Sequence, residues 1–195
     1  GEIIGGEALI RWHSVKEGII YPDEFIPVLE KSGYIVDVDA YVWEKVFAAI
    51  HSWKTGGITP VPISVNVSRS HVYQKAFARV LEKLAQQYDV EPYYVPLEVT
   101  ESMFTEYVDK LYENITKLQS EGFRFSMDDF GAGYSSLNML KDEPVDEVKI
   151  DRFFLKDIKK EKSQIVIRNV IHMIQELQLD MIVEGIETKE QAELL

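Results

Sequence analysis

The feature that most constrains the fold is a repeated change in hydrophobic period. Six short β-rich runs, Glu7–Trp12, Ile63–Val67, Val95–Val99, Arg124–Met127, Glu147–Ile150 and Met181–Glu184, are separated by longer stretches whose apolar residues recur at helical spacing. The clearest of these, Ala76–Tyr88, puts Phe77, Val80, Leu81, Leu84 and Tyr88 on one face. Val108–Leu118 and Ile165–Leu177 share the period, with Leu111, Ile115 and Leu118 marking the first. Asp23–Lys31 and Asp37–Trp53 read as neighbouring helices, the first entered through Pro22 and closed by Gly33. Strands alternating with helices predict a parallel sheet with right-handed crossovers.

Two architectures fit that alternation. An open doubly wound sheet accommodates six strands, but its phosphate loop normally follows the first strand. Here the first strand leads to Arg11, Trp12 and His13, with no glycine fingerprint. A (β/α)8 TIM-type barrel runs to about 250 residues and would leave this chain of 195 two strands short. The polar residues decide for the barrel, because each strand carries a chemically capable side chain within it or at its C-terminal end. These are Glu7 and Arg11; Asn66; Glu98, then Glu101; Asp128 and Asp129; Lys149 and Asp151; Glu184, then Glu187. In a barrel such ends converge on the catalytic face.

The adjacent pair Asp128–Asp129 poses the sharpest question, since neighbouring carboxylates repel and are costly to bury without a cation or strong donors. Carboxylate and amide oxygens are what Mg2+ or Mn2+ prefers, so a metal gives the pair a rationale. The net charge of −12 fits cation binding and argues against DNA or RNA as partner, which would need a dense basic surface. With no Cys, thiolate metal sites and disulfides are excluded, which fits a reducing cytoplasm. No apolar run approaches a membrane span, so an anchor would belong to other parts of a parent protein.

At this point six motifs fall into register: "GEALIRW" (Gly6–Trp12), "SVNVS" (Ser64–Ser68), "LEVTES" (Leu97–Ser102), "MDDFGAGYSSL" (Met127–Leu137), "VKID" (Val148–Asp151) and "VEGIET" (Val183–Thr188). In order and spacing the chain resembles the EAL family, bacterial phosphodiesterases of cyclic di-GMP. The resemblance implies metal ligation by Glu7, Asn66, Glu98, Asp128 and Asp129, with two Mg2+ or Mn2+ ions in the complete domain. It implies that Lys149 positions the attacking water and the scissile phosphate, and that Glu184 helps to hold the second metal and its water. Asp151 would lie close to that water network. Arg11 and Leu9 would contact the substrate, and Glu101 would steady the loop Phe130–Ser136. The expected reaction is hydrolysis of cyclic di-GMP to linear pGpG, two metals about 4 Å apart serving an in-line displacement.

The chain is also expected to be an incomplete single domain, 1–195. The family begins with a strand bearing Tyr-Gln-Pro and ends with one bearing Gln-Gly-Tyr, and this sequence contains neither. By that reading this stretch alone hydrolyses cyclic di-GMP poorly, whereas the completed domain is active. Ala132 replaces a usual Thr, and Ser14 a usual Pro, the latter expected to be silent.

Competing motif readings are weaker. "DFG" at Asp129–Gly131 has no Gly-rich loop or "HRD" triplet to make a kinase, and "GAGYSS" lacks the third glycine of a dinucleotide fingerprint. His13, His51, His71 and His172 show no ligand spacing, and Trp43 and Trp53 read as helix core. Glu187 reads equally as structural or catalytic. The runner-up function is a catalytically silent module that binds cyclic di-GMP or a protein partner for regulation. A second copy of the chain and attached signalling domains are the further candidate partners.

Overall fold

The computed structural model describes residues 1–72, 74, 76–106, 108–132, 139–142 and 144–195. Its elements are β1 (Gly6–Glu7), β2 (Trp12–Ser14), β3 (Gly18–Ile20), α1 (Pro22–Ser32), α2 (Ile35–Thr55), β4 (Ile63–Asn66), α3 (Arg69–Val72), α4 (Phe77–Tyr88), β5 (Leu97–Thr100), α5 (Glu101–Glu106), α6 (Val108–Ser120), β6 (Phe125–Phe130), α7 (Met139–Asp142), β7 (Glu147–Ile150), α8 (Glu161–Glu176), β8 (Asp180–Val183) and α9 (Lys189–Leu194). The contacts divide the chain into two compact units, one of residues 1–98 and 109–124, the other of residues 99–108 and 125–195.

In the first unit β1 runs parallel to β4, with Glu7 opposite Ser64, and β4 runs parallel to β5, with Asn66 opposite Glu98. The amphipathic helices pack as their spacing requires. Trp43, Phe47 and Ile50 of α2, Leu81 of α4, and Leu111, Ile115 and Leu118 of α6 are all but inaccessible to solvent. The α1 helix starts at Pro22, whose missing N–H costs nothing there, and ends at Gly33 with φ 79°, a left-handed cap.

The expected strand Glu7–Trp12 is not one strand. Pairing with β4 stops at β1, and the chain then folds into the antiparallel hairpin β2–β3, with Trp12 opposite Ile20 and Ser14 opposite Gly18. Two local causes are visible. Ser14 Oγ accepts from the amides of Lys16 and Glu17, and Gly18 takes the positive φ (76°) that a tight connection of this kind needs. Trp12 then packs edge-on against Phe25 of α1. Ser14 therefore closes a turn with its own side chain.

In the second unit β6, β7 and β8 are parallel neighbours in chain order. Val148 and Ile150 of β7 and Met127 and Phe130 of β6 are buried, and α8 contributes Ile167, Ile171 and Ile174.

Candidate active site

The first unit brings three of the expected ligands together on neighbouring strands. Glu7 closes β1, Asn66 closes β4 and Glu98 sits within β5, directly opposite Asn66. Asn66 Nδ2 donates to Glu7 Oε1 at 3.2 Å, which leaves the amide oxygen as the acceptor end of the side chain. Strand alternation buries Leu97 and Val99 in the core and sends Glu98 to the other face, where it too is buried (2% exposed).

The backbone leaving β4 is held on several sides. Trp43 Nε1 donates to the Asn66 carbonyl (3.1 Å), Val67 N donates to the Glu98 carbonyl (2.9 Å), and Ser68 N donates to Asp39 Oδ2 (3.0 Å). Asp39 Oδ2 also lies 3.3 Å from His71 Nε2, and the His71 ring rests against Trp43 with centroids 4.4 Å apart. Asp39, Trp43 and His71 were not among the site residues read from the sequence. The available signal was an Asp on the buried stripe Ile35–Asp39–Trp43–Val46–Ile50, where a carboxylate is costly without partners.

Arg11 and Leu9, assigned to substrate, lie between β1 and β2 in exposed chain. The Arg11 guanidinium donates to the Ile10 carbonyl and lies 5.6 Å from the Tyr21 ring centroid, a cation–π arrangement.

The second unit answers the question of the adjacent aspartates. Met127 pairs with Val148 and Phe130 with Ile150, so two residues, Asp128 and Asp129, stand opposite the single residue Lys149. That is a β-bulge, and Asp129 has φ 57°, in the left-handed region. A regular strand would send the two carboxylates to opposite faces, and the extra residue breaks that alternation. Lys149 is buried (4% exposed), with Nζ 3.1 Å from Asp128 Oδ1 and 2.8 Å from Glu184 Oε1. Glu184 follows β8, where its amide donates to the Ile150 carbonyl and Gly185 turns the chain at φ 68°. Partial burial pushes the Asp129 carboxyl above its ordinary range. The charges of Asp128, Asp151 and Glu184 push the same way, and Lys149 opposes them.

Asp151, expected near the water network, is engaged by the backbone that follows it. Its Oδ1 accepts from Phe153 N at 2.8 Å and caps the 3-10 turn Arg152–Leu155. Glu187 donates its amide to Gln191 Oε1 beside the capping box that starts α9, a structural placement. Glu101 opens α5. Much of the loop it was expected to steady, residues 133–136, lies outside the described residues.

Gly131 follows the bulge at φ 93°, and a Cβ built there would come within 1.9 Å of the Phe154 ring. Gly131→Ala is therefore expected to displace that ring and the adjacent aspartates, lowering stability by about 1–3 kcal/mol. Urea unfolding measures the loss, and an unchanged midpoint would show that the loop absorbs the methyl group freely.

Within each unit the chemistry suits a hard divalent cation: carboxylate and amide oxygens at Glu7 and Asn66 in the first, and like charges crowded around Asp129 in the second. Among the described residues, no three His, Cys, Asp or Glu side chains stand grouped as a metal site.

The EAL domain family model matches residues 1–195. The chain belongs to the EAL domain family. It is 34% identical over 189 residues to the cyclic di-GMP phosphodiesterase PdeR of Escherichia coli, covering 96% of this chain and 28% of PdeR. It is 33% identical to the bifunctional diguanylate cyclase/cyclic di-GMP phosphodiesterase MucR of Pseudomonas aeruginosa, over all of this chain and 29% of MucR. The chain thus spans less than a third of the length of these multidomain relatives. A solved structure of the PaMucR phosphodiesterase in complex with c-di-GMP superposes with a TM-score of 0.92 at 33% identity, covering 100% of this chain and 79% of that one. The fold is accordingly that of the EAL domains, a TIM-like barrel, as the polar strand ends predicted. No helix among the described residues is long and apolar enough to cross a membrane.

Proposed function

We propose that this EAL domain is the catalytic part of a metal-dependent phosphodiesterase that hydrolyses cyclic di-GMP to linear pGpG. The observation that carries the reading is the buried Lys149 ammonium, ion-paired with both Asp128 and Glu184 beside the Asp128–Asp129 bulge. A buried cation between two carboxylates is an expensive arrangement to keep for stability alone. The Asp129 carboxyl, raised by burial and by the carboxylates crowded around it, is the kind of perturbed group that working sites collect. Membership in a family with phosphodiesterase relatives supplies the substrate class.

In this reading Glu7, Asn66 and Glu98 of the first unit, and Asp128, Asp129 and Glu184 of the second, are the groups that serve Mg2+ or Mn2+. The ions would supply an activated water at neutral pH and offset charge on the phosphate oxygens. The chain's own residues do the rest. Lys149 orients Asp128 and Glu184 through its two ion pairs and presents positive charge where a phosphate oxygen gains negative charge. Asn66 fixes the Glu7 carboxylate by donating to it. Arg11, exposed after β1, contacts a substrate phosphate. Asp151 holds the turn after β7 with one oxygen and offers the other to the attacking water. The setting is cytoplasmic, with the remaining length of the parent protein supplying regulatory or anchoring parts.

The test is product analysis with the protein expressed at full length. Cyclic di-GMP incubated with Mn2+ should yield linear pGpG, and EDTA should stop the conversion. Tight binding of cyclic di-GMP without turnover in either metal would instead support a silent sensor.

A further inference from the structure

We infer that Asp39, on α2, is a positioning residue for the metal-binding end of β4, acting through the backbone that carries Asn66. The inference rests on the proposed reading of Asn66 as a ligand. The geometry behind it is local to one unit. Asp39 and Trp43 are one helical turn apart on the buried face of α2, with Asp39 7% exposed and Trp43 fully buried. One accepts from the amide of Ser68 and the other donates to the carbonyl of Asn66, so together they bracket a three-residue exit from the strand. Between them Val67 N is tied to the carbonyl of Glu98, another proposed ligand.

The bracket explains a residue that packing does not. An apolar side chain at position 39 would continue the stripe of Ile35, Trp43, Val46 and Ile50, whereas a buried carboxylate needs donors to offset its desolvation. The donor is the Ser68 amide, and His71 Nε2 lies 3.3 Å away, both on the segment immediately after Asn66. With the carbonyl of 66 and the amide of 68 fixed, the Asn66 side chain is delivered to Glu7, and its oxygen keeps a constant direction. Partners that orient a ligand in this way commonly govern metal affinity nearly as strongly as the ligand itself.

The experiment measures Mn2+ affinity by calorimetry on the full-length protein, with a Glu7→Ala variant identifying heat from any other site. Asp39→Ala should weaken Mn2+ binding at the EAL site by about 10-fold or more, the scale expected for loss of an orienting partner. Asp39→Asn keeps an oxygen facing the Ser68 amide and should stay within about 3-fold of the parent protein, which also guards against a misfolded alanine variant. Ile50→Val, elsewhere in the same helix core, should lower the unfolding midpoint and leave Mn2+ affinity unchanged. Unchanged affinity in Asp39→Ala, or equal losses in Asp39→Ala and Ile50→Val, would overturn the positioning role and leave Asn66 as a ligand. Absence of any Mn2+ heat that Glu7→Ala removes would overturn the underlying metal reading, and this inference with it.

Discussion

Lys149→Ala is expected to reduce hydrolysis of cyclic di-GMP by about 100-fold or more, the scale of removing a preorganised electrostatic group. Lys149 is central to the second-unit cluster: its ammonium meets Asp128 and Glu184 at 3.1 and 2.8 Å. Alanine leaves two carboxylates facing each other across an emptied site, so their mutual orientation is lost along with the positive charge. The buried remainder of the strand should still fold, because Val148 and Ile150, on either side, point into the core independently of Lys149. Stability falls as well, since Asp128 loses its cation in a largely buried setting. Initial-rate assays with Mn2+ at saturating substrate measure the effect. Turnover within about 3-fold of the parent would show that Lys149 is a structural ion pair and nothing more.

Glu7→Ala is expected to cut turnover by a similar factor of about 100 or more, and to do so through metal binding. Glu7 is exposed at the end of a two-residue strand, so its removal opens no cavity and should leave the unfolding midpoint nearly unchanged. What it removes is a carboxylate next to Asn66 and the acceptor for Asn66 Nδ2. Raising the Mn2+ concentration should therefore restore part of the Glu7→Ala activity and none of the Lys149→Ala activity. Identical metal dependence in the two variants would mean that Glu7 acts on something other than the ion.

The sequence announced most of the strands and the polar residues near their ends because period and residue type are local signals. Glu147–Ile150 is both the predicted and the observed strand, and the helix built on Leu81 and Leu84 lies where its stripe required. The motifs placed Glu7, Asn66 and Glu98 on three consecutive parallel strands of one unit, which the register then made adjacent. Three features escaped a one-dimensional reading. The break after Glu7 depends on Ser14 and Gly18 closing a hairpin against α1, a tertiary event. The Asp128–Asp129 bulge is defined only by what stands opposite it, since a strand and a bulged strand have the same composition. Asp39 was hidden because its partners lie about thirty residues further along the chain, at Ser68 and His71.

The most direct test of the account is the rate of linear pGpG formation by the full-length protein as Mn2+ is titrated into EDTA-treated enzyme, with Lys149→Ala and Glu7→Ala run in parallel. The account predicts no turnover without metal, a saturable rise in the parent, and at least about 100-fold lower rates in both variants at moderate Mn2+. A metal-independent rate, or a parent protein that binds cyclic di-GMP at every Mn2+ concentration and never opens it, would contradict it.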